Sequence, residues 1–181
     1  PVLVPVRSHL LAHNHHTLVD GVDRVYPKNK PGGMVIALNA PFVLVNTYLT
    51  ALRIHRGDPL SRARLLSIAI EGNDGEVERL DERTITVTLR KGFFDSADMA
   101  SRVFRSPDVP FRVGDTTEVE GMRAEVVEVT SDARPKRVRF SFDRSLDDPS
   151  FQWVSWDATG PIPAAPPPVG QKAMIPAISL Y

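Results

Sequence analysis

The feature that most constrains this chain is an alternation of apolar and polar residues, repeated in short stretches that turn residues separate. In Thr84–Leu89, Ile85, Val87 and Leu89 alternate with threonines. Successive side chains of a strand point to opposite faces, so such a stretch buries one face and wets the other, as antiparallel strands do. The region from Phe111 to Trp156 carries the pattern furthest. Val119-Glu-Gly-Met122, Ala124–Val129, Val138-Arg-Phe-Ser-Phe142 and Phe151–Trp156 follow one another at short intervals. Gly114-Asp115 and Glu120-Gly121 stand where hairpins need left-handed backbone or a bulge. Leu146-Asp-Asp-Pro149 fits a β-turn, and Asp143, Asp147 and Asp148 lack EF-hand spacing. Short strands at this spacing predict a meander closing into a sandwich or small barrel.

Upstream the period changes. Leu10, Leu11, Leu18, Val19, Val22 and Val25 are close to helical spacing, with Ser8 as N-cap and Pro27 as stop. Met34–Leu38 is a continuous apolar run that reads as a buried strand. Leu44, Val45, Tyr48, Leu49 and Leu52 then predict a helix over Phe42–Ile54, and a short helix is expected over Asp95–Phe104. The expected fold class is therefore α+β. A helix-strand-helix portion (1–60) is packed on a larger antiparallel β-rich sandwich or small barrel (61–158). A Pro-rich C-terminal segment (159–181) runs as polyproline II and docks an edge strand near its end, all within a single domain over 1–181.

Composition removes several function classes. The 181 residues carry 22 Lys+Arg against 22 Asp+Glu, so no basic surplus favours nucleic acid as a partner. There is no Cys, which excludes disulfides, zinc-thiolate sites and thiol nucleophiles. Gly32-Gly33 precedes a strand rather than following one, the wrong order for a phosphate loop, so no nucleotide is expected. No cofactor is implied. No Gly-x-Ser-x-Gly elbow occurs either.

Three constellations remain as candidate sites. His9, His13 and His16, with His15 between, crowd the N-terminal segment. His9 and His13 lie four apart, a spacing that can chelate zinc or nickel on one helical face. Asn39-Ala40-Pro41 stands between a strand and a helix, where α/β sheets place ligands, and Asn39 is equally suited to cap the helix that follows. Trp153 and Trp156 are three apart and face opposite sides of one strand. One is expected in the core and the other at the surface, available to a sugar or a partner.

Val4-Pro-Val-Arg-Ser8, Ala37-Leu-Asn-Ala-Pro-Phe42 and Phe104-Arg-Ser-Pro107, continued by Pro110-Phe-Arg-Val-Gly-Asp115, Val138–Asp143 and Leu146-Asp-Asp-Pro149, form a set. Together they resemble the soluble C-terminal region of uncharacterised bacterial multi-pass membrane proteins. The resemblance spans nearly the whole chain and brings no catalytic residues with it. It implies a membrane-associated location through upstream hydrophobic segments, of which the apolar Pro1–Val6 reads as the stub. The partners it implies are membrane-embedded segments of the same polypeptide or of another protein, and a second copy of the chain is a further candidate. The leading functional expectation is a non-enzymatic accessory domain used for assembly or ligand contact. The alternatives are a hydrolase-like enzyme with its site at the Asn39–Phe42 turn and a carbohydrate-binding β domain.

Overall fold

In the computed structural model of the chain, the described residues are 33–41, 55, 62–70, 72–94 and 108–178. They form ten strands: β1 (Met34–Ala37), β2 (Arg62–Leu65), β3 (Gly75–Arg79), β4 (Thr84–Leu89), β5 (Thr116–Val119), β6 (Met122–Val129), β7 (Pro135–Phe142), β8 (Phe151–Asp157), β9 (Gly160–Pro163) and β10 (Lys172–Ile175). Two sheets result, one of four strands ordered β2-β1-β8-β9 and one of six ordered β10-β3-β4-β7-β6-β5. The α+β expectation is overturned. The described chain is almost entirely β, and β1 is built into a sheet. It is hydrogen-bonded on one side to β2 and on the other to β8, both parallel to it, in the middle of the four-stranded sheet. The helices expected over Ser8–Val25, Phe42–Ile54 and Asp95–Phe104 lie outside the described residues.

The burial of β1 explains its sequence. Parallel strands are covered on both faces and therefore read as continuous apolar runs. All of Met34–Ala37 is buried. Met34, Ile36 and Leu38 enter the core between the two sheets, whereas Val35 and Ala37 enter a second apolar cluster on the opposite face. In β8, Phe151 and Trp153 share the first core, and Val154 and Trp156 share the second. Between the sheets these meet Val77 of β3, Ile85, Val87 and Leu89 of β4, and Val138, Phe140 and Phe142 of β7. The Phe142 ring lies 5.6 Å from Phe151 and 5.9 Å from Trp153, tilted to both, which is the arrangement ring quadrupoles favour.

The six-stranded sheet is antiparallel throughout, as the alternation predicts. Gly114 and Gly121 have φ of 91° and 81°, so both turns adopt the left-handed backbone their glycines allow. At the C-terminal end the expectation holds in part. β10 docks on the outer edge of β3, but Gly160–Pro163 is a strand paired with β8 rather than polyproline II. The register accounts for prolines in it. Gly160 closes a two-residue hairpin opposite Asp157, which puts Pro161 and Pro163 at positions where the strand's N–H would face away from β8.

Among the described residues, one charged side chain is buried. Arg79, on the same face of β3 as Val77, is 4% exposed and makes a two-pronged ion pair with Asp147 at 2.9 and 2.6 Å, while its Nε donates to the Asp81 carbonyl. The Asp147 carboxyl is held below the usual carboxylate range by this guanidinium. The pair ties the β7–β8 loop to the β3–β4 hairpin, and the same loop is fixed from inside by the Trp153 indole N–H donating to the Leu146 carbonyl.

Candidate functional site

Between the edge of the four-stranded sheet and the edge of the six-stranded sheet lies a half-open cleft of about 490 Å³. Its size falls within the range of small-ligand sites, roughly 300–1,000 Å³. Leu65 and Leu66, at the end of β2, form one wall. Ala124, Val126, Val138 and Phe140 form another, and Phe93, Phe94 and Phe111 close one end. Polar groups are confined to Asp115, Thr116, Thr117 and Glu125 along the β5–β6 side.

The aromatic end is built from loops and held by backbone hydrogen bonds. Phe93 N–H donates to Pro135 O at 2.7 Å, Phe111 N–H to Ala133 O at 3.0 Å, and Arg134 Nη1 to Phe93 O at 3.3 Å. Phe94 has a φ of 55°, a left-handed conformation that costs a bulky residue roughly 1–2 kcal/mol. In that conformation its ring stacks on Phe111, with centroids 5.6 Å apart and planes 4° from parallel. Gly92 (φ 81°) brings the chain in: a Cβ there would sit 2.9 Å from Pro135 O. The register of β6 against β7 shifts between Val126 and Glu128, a bulge that bends the strand beside the cleft.

The Thr130–Pro135 turn is the common support of these rings, and Asp132 locks it. The Asp132 carboxylate accepts from Arg134 Nε at 2.6 Å and from Thr130 Oγ1 at 2.5 Å. The Arg134 and Thr130 bonds together lower its pKa from 3.8 to about 2. A carboxyl depressed in the folded state stabilises the fold fully above its unfolded pKa, and that contribution is lost as pH falls toward the folded value. The side chain is half-exposed, so solvent screening leaves on the order of 1 kcal/mol. The expected result is that Asp132→Asn lowers stability by about that amount at pH 7 and progressively less between pH 4 and 2. Urea titrations at a series of pH values check this; an unchanged deficit at pH 2 would show that the carboxylate charge is not what holds the turn.

Asn39 is fully buried, and its amide is engaged within the fold. Its Oδ1 accepts from the Trp156 backbone N–H at 2.8 Å and from Ser155 Oγ at 2.7 Å, and its Nδ2 donates to the carbonyls of Trp156 and Pro176 at 3.0 and 3.3 Å. The side chain thus clamps β1 to β8 and to the segment after β10. Phe42, at the far end of the expected hydrolase turn, lies outside the described residues. Trp153 and Trp156 do face opposite sides of β8, but both are buried, at 6% and 1% exposure. The expectation of one surface ring fails because β8 sits next to β1 inside a sheet covered on both faces, so no tryptophan ring is presented flat to a sugar. His9, His13 and His16 lie outside the described residues, and among the described residues no group of three or more His, Asp or Glu could hold a metal ion. No described helix is long and apolar enough to cross a membrane.

The cleft itself escaped sequence reasoning. Its residues come from β2, the segments after β4 and before β5, and strands β5 to β7, and each one reads locally as core or turn. The signal that could have pointed to it is the pair Phe93-Phe94 placed between Gly92 and the polar Asp95-Ser96, an aromatic doublet in a turn context. No protein-family model matches the chain, and neither a curated protein nor a solved structure matches it.

Proposed function

We propose that the chain is a non-enzymatic accessory domain that makes contact through the cleft, holding an apolar group between Leu65, Leu66 and the Phe93–Phe94–Phe111 end. The observation that carries this reading is the cleft's lining: stacked rings and aliphatic walls, with carboxylates only along one side, one of which, Glu125, is paired with Arg139 at 3.2 Å. Such a site recognises by apolar burial and shape, at about 25 cal/mol per Å² of apolar surface removed from water. The bacterial membrane-protein setting of this proposal is supported by the three sequence stretches quoted above. The reading of the complete gene tests that setting: an open reading frame without hydrophobic segments would remove it.

The cleft reading is tested with the neutral solvatochromic dye Nile red. Its emission is expected to shift to the blue and to saturate on binding the wild-type protein. Ala124→Phe fills the cleft from its floor and is expected to weaken dye binding at least about tenfold, a loss of roughly 1.4 kcal/mol, with the far-ultraviolet circular dichroism unchanged. Dye binding that is indifferent to Ala124→Phe and to Phe111→Ala would remove the cleft as the site.

A further inference from the structure

We propose that the occupant of the cleft is an extended, basic polypeptide segment that adds as a strand to the outer edge of β5, which no described strand pairs. The proposal rests on the cleft reading above and names its ligand class. Thr116 and Thr117, which line the cleft, belong to the terminal strand of the six-stranded sheet, so the cleft wall and a sheet edge are the same piece of chain.

The register fixes which backbone groups that edge offers. The two-residue turn Glu120-Gly121 closes on the Val119–Met122 pair, and Thr117 faces Ala124 two residues further along. In an antiparallel ladder these are the hydrogen-bonded pairs. The N–H and C=O of Thr116 and Glu118 therefore point away from β6. All four residues of β5 are exposed. That includes Thr117 and Val119, whose side chains share a face with the partly buried Ala124 and Met122 against the core. The strand thus overhangs the sandwich: its inner face is uncovered, and Val119 is 45% exposed. A small apolar ligand would use only the cavity. An extended chain uses both features, pairing its backbone with Thr116 and Glu118 while alternate apolar side chains reach inward to the cleft.

Charge selects the partner. The run Asp115-Thr-Thr-Glu-Val-Glu120 carries three carboxylates and no cation. Arg62 meets Glu120 at 2.6 Å, but among the described residues Glu118 pairs only with Arg123, at 3.8 Å, and its side chain remains 73% exposed. Two copies pairing β5 to β5 would bring these acidic runs together, and opposed like charges are destabilising. A strand with Lys or Arg at its outward positions is complementary instead. Two of the other sheet ends, β9 and β10, carry different edge devices. Pro161 and Pro163 remove donors from the outer edge of β9, and Lys172 lies on β10, paired with Glu76 and Glu78.

The test uses the whole chain and a synthetic capped peptide in which lysine alternates with valine and phenylalanine, followed by fluorescence anisotropy and by amide exchange in NMR. Saturable binding is expected, weakened by salt, with the amides of Thr116 and Glu118 gaining protection. The same peptide N-methylated at alternate residues keeps charge and apolarity but loses its donors, and is expected to bind at least about tenfold more weakly. Glu118→Lys, a change at an exposed position, is expected to weaken binding by a similar factor. Equal binding of the methylated peptide, or protection that bypasses Thr116 and Glu118, would overturn strand addition. A dimer of the free protein that protects the same two amides would overturn the choice of occupant. Nile red separates the levels: dye binding in the cleft without peptide binding sinks this inference and leaves the cleft reading standing, whereas loss of both sinks the two together.

Discussion

Trp156→Ala is expected to lower the stability of this protein by about 4 kcal/mol, a large part of the 5–15 kcal/mol typical of a folded domain. Trp156 is 1% exposed and lies against Val35, Ala37, Ala40, Val154 and Ile178, on the face of the four-stranded sheet that points away from the six-stranded one. Truncating it removes the transfer energy of the indole and leaves a cavity. Its neighbours cannot collapse into that cavity, because four of them are fixed on or beside the hydrogen-bonded ladder of β1 and β8. Urea unfolding followed by circular dichroism measures the effect. With a slope of roughly 2 kcal/mol per M, the midpoint should move down by about 2 M. Trp156→Phe keeps most of the volume and should cost a fraction of that. A midpoint shift of less than about 0.5 M for the alanine variant would mean that this face is not a packed core.

The second large effect is expected at Asn39. Replacing it by Leu conserves size but abandons four hydrogen bonds: those accepted from Trp156 N–H and the Ser155 hydroxyl, and those donated to the carbonyls of Trp156 and Pro176. A buried polar group left without a partner costs about 1–3 kcal/mol. The Ser155 hydroxyl can rotate to another acceptor, so the net loss for Asn39→Leu is expected near 3 kcal/mol. Asn39→Asp sharpens the reading. The new carboxyl keeps an acceptor for Trp156 N–H but turns an oxygen toward two carbonyls, and burial raises its pKa. For an acid raised in the folded state, the deficit is largest above the folded pKa and shrinks as pH falls through it. Asn39→Asp should therefore be closer to wild type at pH 4 than at pH 7, while the deficit of Asn39→Leu stays constant. Parallel urea titrations at the two pH values decide between them; a pH-independent Asn39→Asp deficit would show that the amide is not clamped between carbonyls.

These two residues also mark how far the sequence could be read. Thr84–Leu89, Val138–Phe142 and Phe151–Trp156 were legible because alternation is a local property: each apolar residue reports its own face, whatever strand comes to lie beside it. The same locality is why the fold class was not. Met34–Ala37 is apolar at every position, a pattern that says both faces are covered without saying by what. Followed by a stretch of helical spacing, it reads as the strand of a helix-strand-helix portion, whereas it is the centre of a sheet with β2 and β8, both parallel to it. The prolines of Gly160–Pro163 by themselves point to polyproline II. Only the register with β8 shows that those prolines occupy positions that need no donor. The spacing of Trp153 and Trp156 puts them on opposite faces, but their exposure depends on β1 lying alongside. Asn39 has the local context of a cap or a ligand-binding residue, and its partners are a strand 117 residues away and a carbonyl 137 residues away.

What the sequence determined by itself is the set of cleanly patterned strands, β4, β7 and β8, the face each buries, and the turns at Gly114 and Gly121 that carry left-handed glycines, since these follow from period-two patterning and backbone sterics within a few residues. The absence of thiol chemistry and of a basic surplus was equally fixed by composition. Tertiary structure alone decided that β1 would pair in parallel with β8, that both tryptophans would be buried, and that the edges β2 and β5 would meet across a cleft with an edge strand for its wall. The physical reason is that a cleft is made of the space between elements. Its lining is drawn from residues whose local pattern says only core or turn, and only long-range pairing brings them to opposite sides of the same gap.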